Sequence, residues 1–90
     1  MKKYTVKYTD RSIKDLGKMD SYTRQMIMNW ISKMLDGIEN PRYLGKALKG
    51  DKKGLWRYRV GDYRILSLIQ DKELIILALR IGHRRDIYQR

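Results

Sequence analysis

Three arginines stand close together in "LWRYRVGDYR" (55–64): Arg57, Arg59 and Arg64. The flanking Trp, Tyr, Val and Ile residues favour β structure. Gly61-Asp62 is a two-residue hairpin signal with glycine in the first turn position. With those two residues as the loop, Val60 pairs with Tyr63, Arg59 with Arg64, Tyr58 with Ile65 and Arg57 with Leu66. Side chains alternate along a strand, so the three arginines emerge on one face. Trp56, Tyr58, Val60, Tyr63, Ile65 and Ile69 emerge on the other. Like charges directly opposite one another destabilise a sheet. One such pair is tolerable if the long stems splay and keep their heads in water. Three arginines on one face point instead to an anion between them. A guanidinium binds phosphate bidentately and never loses its charge near neutral pH.

A second group closes the chain in "IGHRRDIYQR". If Asp71-Lys72 is the next turn, Leu79 lies opposite Arg64. The strand then carries His83, Arg84, Arg85 and Tyr88 to the same end of the sheet as Arg59 and Arg64. Several guanidiniums, an imidazole and a phenol suit cleavage of RNA. The 2′-hydroxyl is a nucleophile already beside its own phosphate. Cations stabilise the phosphorane as charge grows on its equatorial oxygens, and an aromatic ring stacks on an unpaired base. His83 is the candidate general base, since an ordinary imidazole titrates near neutrality. The alternative is an exposed loop residue with no role. One histidine and no carboxylate cluster make a poor metal set, so neither a metal nor a cofactor is expected.

The elements that must position these residues are legible in outline. "KYTVKY" (3–8) predicts a first strand. Thr9 or Asp10 caps a short helix over Ser12–Met19, carrying Ile13 and Leu16. Asp20 or Ser21 caps a second helix. There Met26, Ile27, Trp30, Ile31, Met34 and Leu35 form one apolar stripe, read as core, up to the stop at Gly37. Residues 38–54 read as a glycine- and lysine-rich connection. It is either a solvated loop or a basic lip in which Lys46, Lys49, Lys52 and Lys53 flank the site. "LWRYRV", "YRILSLIQ" and "ELIILALRI" then form a meander. The expected fold is α+β, of order β-α-α-β-β-β, with a four-stranded antiparallel sheet and both helices on one face.

Composition narrows the partners. The 90 residues carry a net charge of +11, of which +3 falls in residues 1–41 and +8 in 42–90. That excess is more than solubility requires and points to a polyanionic partner. A membrane surface fits poorly, because the cations lie on strands rather than along one amphipathic helix. A single domain spanning 1–90 is expected. There is no cysteine, no apolar stretch behind the N-terminal charges and no run long enough to span a bilayer. These features suggest a soluble protein of the cytoplasm.

The stretch "LKGDKKGLWRYRVGDYRILSLIQDKELIILALRIGHRRDIY" resembles the RelE branch of the RelE/ParE toxin superfamily. The similarity runs the length of the chain and is most specific in the hairpin and in "GHRRDIY". It implies the toxin of a bacterial type II toxin–antitoxin pair: a metal-independent endoribonuclease that cuts mRNA in the A site of the 70S ribosome. The products would carry a 2′,3′-cyclic phosphate and a 5′-hydroxyl. The implied partner is a RelB-like antitoxin with an acidic, amphipathic segment, and operator DNA would be reached only through it. Residue by residue, the family's basic pair falls on Arg57 and Arg59, its arginine after the turn on Arg64, its C-terminal cation on Arg84 and its closing tyrosine on Tyr88. This implies Arg59, Arg64, His83, Arg84 and Tyr88 as catalytic residues. Arg57, Arg85 and the four lysines would hold RNA or ribosome. In the best-known RelE the pair at 57 and 59 is lysine. An arginine cannot serve as a base, which leaves His83 for that role. Two other readings remain: a ParE-like poison of DNA gyrase, and a non-catalytic RNA- or ribosome-binding module.

Overall fold

A computed structural model describes residues 2–88. The first strand, β1 (Thr5–Tyr8), leads into α1 (Asp10–Gly17) and α2 (Ser21–Trp30). Both helices begin where their capping residues lie. Thr9 Oγ1 accepts the Ser12 N–H at 3.1 Å, and Asp20 accepts the Thr23 N–H at 3.2 Å and its hydroxyl at 2.6 Å. α2 runs on into a wider turn over Ile31–Leu35, closed by Asp36 N–H on the Ile31 carbonyl. Gly37, at φ 90°, then ends it.

The sheet departs from the expected one in two ways. It has five strands in the order β1-β5-β4-β3-β2, and β1 runs parallel to β5, with Thr5 opposite Ile75 and Tyr8 opposite Ala78. It is therefore mixed, not four-stranded and antiparallel. Placing β1 outside β5 (Ile75–His83) covers both edges of the most apolar strand, "IILALRIGH". The extra strand, β2 (Lys46–Ala47), lies within the segment read as a connection. It pairs with Arg57 and Trp56 of β3 (Trp56–Val60). Nothing in its side chains announces it. The pairing depends on Gly45, where a Cβ would stand 2.4 Å from the Arg57 carbonyl oxygen and where φ is +80°. Trp56 Nε1–H donates to the Leu44 carbonyl at 2.7 Å, and the Tyr58 hydroxyl donates to that of Pro41 at 2.5 Å.

β3 and β4 (Tyr63–Gln70) pair in the expected register: Val60 with Tyr63, Arg59 with Arg64, Tyr58 with Ile65, Arg57 with Leu66. The β4–β5 register differs. Arg64 lies opposite Gly82, not Leu79. The turn spans Asp71–Leu74 rather than two residues, and a bulge at Leu79 of β5, opposite the step from Leu66 to Ser67, shifts the rest by one more. Asp71 is held in that turn by the Tyr4 hydroxyl at 2.6 Å and by both terminal nitrogens of Arg42 at 3.0 Å.

The core lies between the helices and one sheet face. Leu16, Ile27, Ile31 and Leu35 pack on Tyr58, Val60, Ile65, Ile76, Ala78 and Ile81. Both helices thus cover one face, as expected. Past the end of β1, α1 takes over the edge of β5. Asp15 accepts the Ile81 N–H and Arg80 Nε–H, both at 2.9 Å. Among the described residues, no helix is long and apolar enough to cross a membrane.

Candidate active site

The face of the sheet away from the helices carries the cations. Arg59 and Arg64 are direct neighbours across β3 and β4, and Lys46 is opposite Arg57 across β2 and β3. Leu66, also on this face, is buried beside Arg57. Arg64 is the most enclosed of the set, at 8% exposure. One terminal nitrogen donates to the Gly61 and Tyr63 carbonyls, both at 3.0 Å. These bonds aim the head along the hairpin turn. No ion pair to Arg57, Arg59 or Arg64 is formed among the described residues. Arg57 Nε is buried and lacks an acceptor. Such a group costs stability until something accepts from it.

The electrostatics follow from this crowding. Burial lowers the Arg64 pKa from its ordinary value. The positive charges of Arg59, Arg57 and Arg84 push the same way, and Tyr88 opposes them. Arg84 and Tyr88 thus stand within electrostatic reach of Arg64, though 20 and 24 residues on in sequence. They arrive because the tail folds back. Arg84 N–H donates to the Asp62 carbonyl at 2.7 Å, extending the ladder to the hairpin turn. The Asp86 and Ile87 N–H groups then close a turn on the His83 carbonyl, at 2.9 and 3.0 Å. Ile87 is buried, with its Cδ1 3.3 Å from where a Cβ on Gly82 would be. The absence of a side chain opposite Arg64 therefore makes room for the tail. Tyr88 stays 39% exposed, its ring open to a ligand.

Arg57, Arg59, Arg64, Arg84 and Tyr88 are thus brought together, with Lys46 alongside. His83 is not. It pairs with Tyr63, whose side chain belongs to the helix-covered face, and their rings meet edge to face at 5.4 Å. Its Nδ1 accepts the Arg85 N–H at 3.1 Å. Only an unprotonated Nδ1 accepts, so the ring proton of the neutral form is on Nε2 and no acceptor is free. His83 is not placed to take a proton from a hydroxyl held at the arginines. The three-residue difference in β4–β5 register separates it from them. Arg85 is exposed, and its backbone serves the His83 contact. Lys49, Lys52 and Lys53 sit on the tip between β2 and β3, around a short 3-10 turn at Gly50–Lys52. No contact ties them to Arg64.

One residue at the site escaped the sequence reading. Asp62, taken only as a turn residue, places its carboxylate 3.9 Å from Arg84 Nε, with both groups exposed. The correct register would have revealed it, since Asp62 then falls opposite Arg84. No cluster of three or more His, Cys, Asp or Glu side chains suited to a metal occurs among the described residues.

Residues 6–88 match the family described as the ParE toxin of type II toxin–antitoxin systems. The chain is 32% identical to toxin RelG of Mycobacterium tuberculosis over 97% of its own length and 98% of the relative's. It is 29% identical to toxin RelE of the same organism, covering 96% and 87%. Among solved structures, it resembles a chain of the M. tuberculosis RelBE2 toxin–antitoxin complex with a TM-score of 0.84 and 30% identity, covering 96% and 97%. A chain of the intact E. coli RelBE complex shares the fold at a TM-score of 0.69 and 19% identity, covering 89% and 95%.

Proposed function

The chain belongs to the RelE/ParE family of type II toxins, and we propose that it is the ribosome-dependent endoribonuclease of such a pair. The observation that carries this reading is the arginine face. It holds a buried Arg64 that pairs with no carboxylate among the described residues and is ringed by Arg57, Arg59 and Arg84, with an open tyrosine at its rim. The cations are held in repulsion by the fold before any ligand arrives. That preorganisation costs stability and is repaid only when an anion enters.

The phosphate flanking an A-site nucleotide sits on Arg64 and Arg84. The 2′-oxygen forms a bond to phosphorus while the bond to the 5′-oxygen breaks. This leaves a 2′,3′-cyclic phosphate and a 5′-hydroxyl. Arg64 and Arg84 stabilise the equatorial oxygens of the phosphorane. Arg57, Arg59 and Lys46 hold adjoining phosphates. Tyr88 stacks on the base, and its hydroxyl is the donor at hand for the leaving oxygen. The 2′-hydroxyl gives its proton to solvent water as the bond to phosphorus forms, and the cluster contributes orientation and charge stabilisation. Its inhibitor is a RelB-like antitoxin whose acidic segment covers this face. The RelBE complexes among the similar structures support that partner. The lysines at 49, 52 and 53 and Arg85 are left as outer contacts to ribosomal RNA, and the site of action is the cytoplasm.

The test is primer-extension mapping of a defined mRNA incubated with the toxin, with and without programmed ribosomes. Cuts in the A-site codon that need ribosomes and vanish in Arg64→Ala support the reading. Intact mRNA overturns it. The ParE description of the matched family favours one other reading, a gyrase poison. A parallel assay showing trapped gyrase–DNA cleavage complexes would establish that reading instead.

A further inference from the structure

His83 has a geometry that neither a base nor an idle loop residue requires. Its Nδ1 accepts the N–H two residues on, at 3.1 Å, the pattern by which Asn and Asp side chains build a turn. Its carbonyl accepts two more N–H groups, from Asp86 and Ile87. Every backbone bond that starts the tail therefore converges on this residue or on Asp62. The ring is braced by Tyr63 and lines a cleft of about 420 Å3 between the helices and the end of β5. The charged groups lining that cleft are Asp15, Lys18 and Asp20 from the helical layer, Arg80 from β5 and Asp86 from the tail. On the opposite face, the same turn delivers Arg84 and Tyr88 to Arg64.

We propose that His83 is a positioning residue for the cleavage reaction: its Nδ1 holds the tail turn that sets Arg84 and Tyr88 over the arginine face. The proposal rests on the endoribonuclease reading for its activity readout, but the placement is a property of the fold.

Two substitutions separate the roles. His83→Asn keeps a side-chain acceptor that reaches the N–H two residues on, but has no ring and cannot act as a base. His83→Phe keeps a ring against Tyr63 but accepts nothing. Single-turnover cleavage on programmed ribosomes should stay within about threefold of wild type for His83→Asn. For His83→Phe it should fall roughly 10- to 100-fold, the scale of a misplaced catalytic group. Exchange of the Arg85 amide proton with solvent gives a reading independent of activity. Its protection should persist in His83→Asn and drop roughly tenfold in His83→Phe, the worth of about one hydrogen bond. Loss of activity in both variants would indicate a base, and full activity in His83→Phe would indicate ring packing or no role. Either result overturns the proposal. If the wild-type protein cleaves no mRNA, the endoribonuclease reading fails, and equal Arg85 protection in both variants would sink the placement as well.

Discussion

In the proposed reaction, Arg64 concentrates the conflict between stability and function in one side chain. It is buried, its pKa is pushed down by that burial and by Arg59 and Arg57, and no carboxylate among the described residues pairs with it. Its charge therefore works against folding. Replacing it should cost activity without costing the fold. Arg64→Met is expected to lower cleavage by about 10²–10³-fold, the usual worth of one preorganised group facing transition-state charge. Two hydrogen bonds to the Gly61 and Tyr63 carbonyls are lost and a desolvated cation is relieved. These effects oppose each other, so Tm should move by less than about 8 °C, the span of roughly 1 kcal/mol in a domain of this size. Thermal unfolding beside the ribosome assay checks both halves. A collapse of Tm would mean that Arg64 is structural.

At the scale of elements, two carboxylates do what strands and turns leave undone. Asp15 replaces a strand at the edge of β5, where β1 has ended, and its side chain is only 9% exposed. Asp15→Ala strands the Ile81 N–H and the Arg80 guanidinium together. Denaturant unfolding should register a loss of about 1–3 kcal/mol. No change would mean that water replaces the carboxylate. Asp71 anchors the β4–β5 turn. The hydrogen bonds from Arg42 and then from Tyr4 hold its carboxyl down at about 2, from an ordinary 3.8. A depressed carboxylate pKa contributes stability that is complete above the unfolded value and is lost as pH falls through the folded one. The Tm gap between wild type and Asp71→Asn should therefore be constant above 3.8 and close as pH approaches about 2. A gap that persists at the acid end would show that the amide, and not the lost charge, is responsible.

Over the whole molecule, charge and layering divide the work. The helices cover one sheet face and supply the core, which leaves the other face free to gather cations. A chain of net charge +11 should meet any polyanion quickly and be sensitive to salt. Cleavage at low substrate should fall with monovalent salt. The logarithmic slope should flatten by about 0.7 in Arg57→Ala, the share of one phosphate contact on a single strand. An unchanged slope would place Arg57 off the RNA path.

The hairpin was readable residue by residue, because Gly61-Asp62 fixes a two-residue turn and a period of two then assigns every face. The caps at Thr9 and Asp20 and the apolar stripe of α2 were equally local. Local chemistry of this kind settles which arginines share a face and which residues form the core. Three features depended on contacts between distant parts of the chain. β1 beside β5, Gly45 against Arg57 and the longer turn held by Tyr4 and Arg42 on Asp71 leave little trace in a local pattern. The last, with the bulge, shifted the β4–β5 pairing by three residues. That is an odd number, so it reversed the face on which His83 was expected and set Gly82 opposite Arg64. The cationic hairpin and the layer that supports it follow from local sequence chemistry. Which of the C-terminal groups reach it follows from long-range contacts, because strand register is set by turn length and bulges, which distant side chains select.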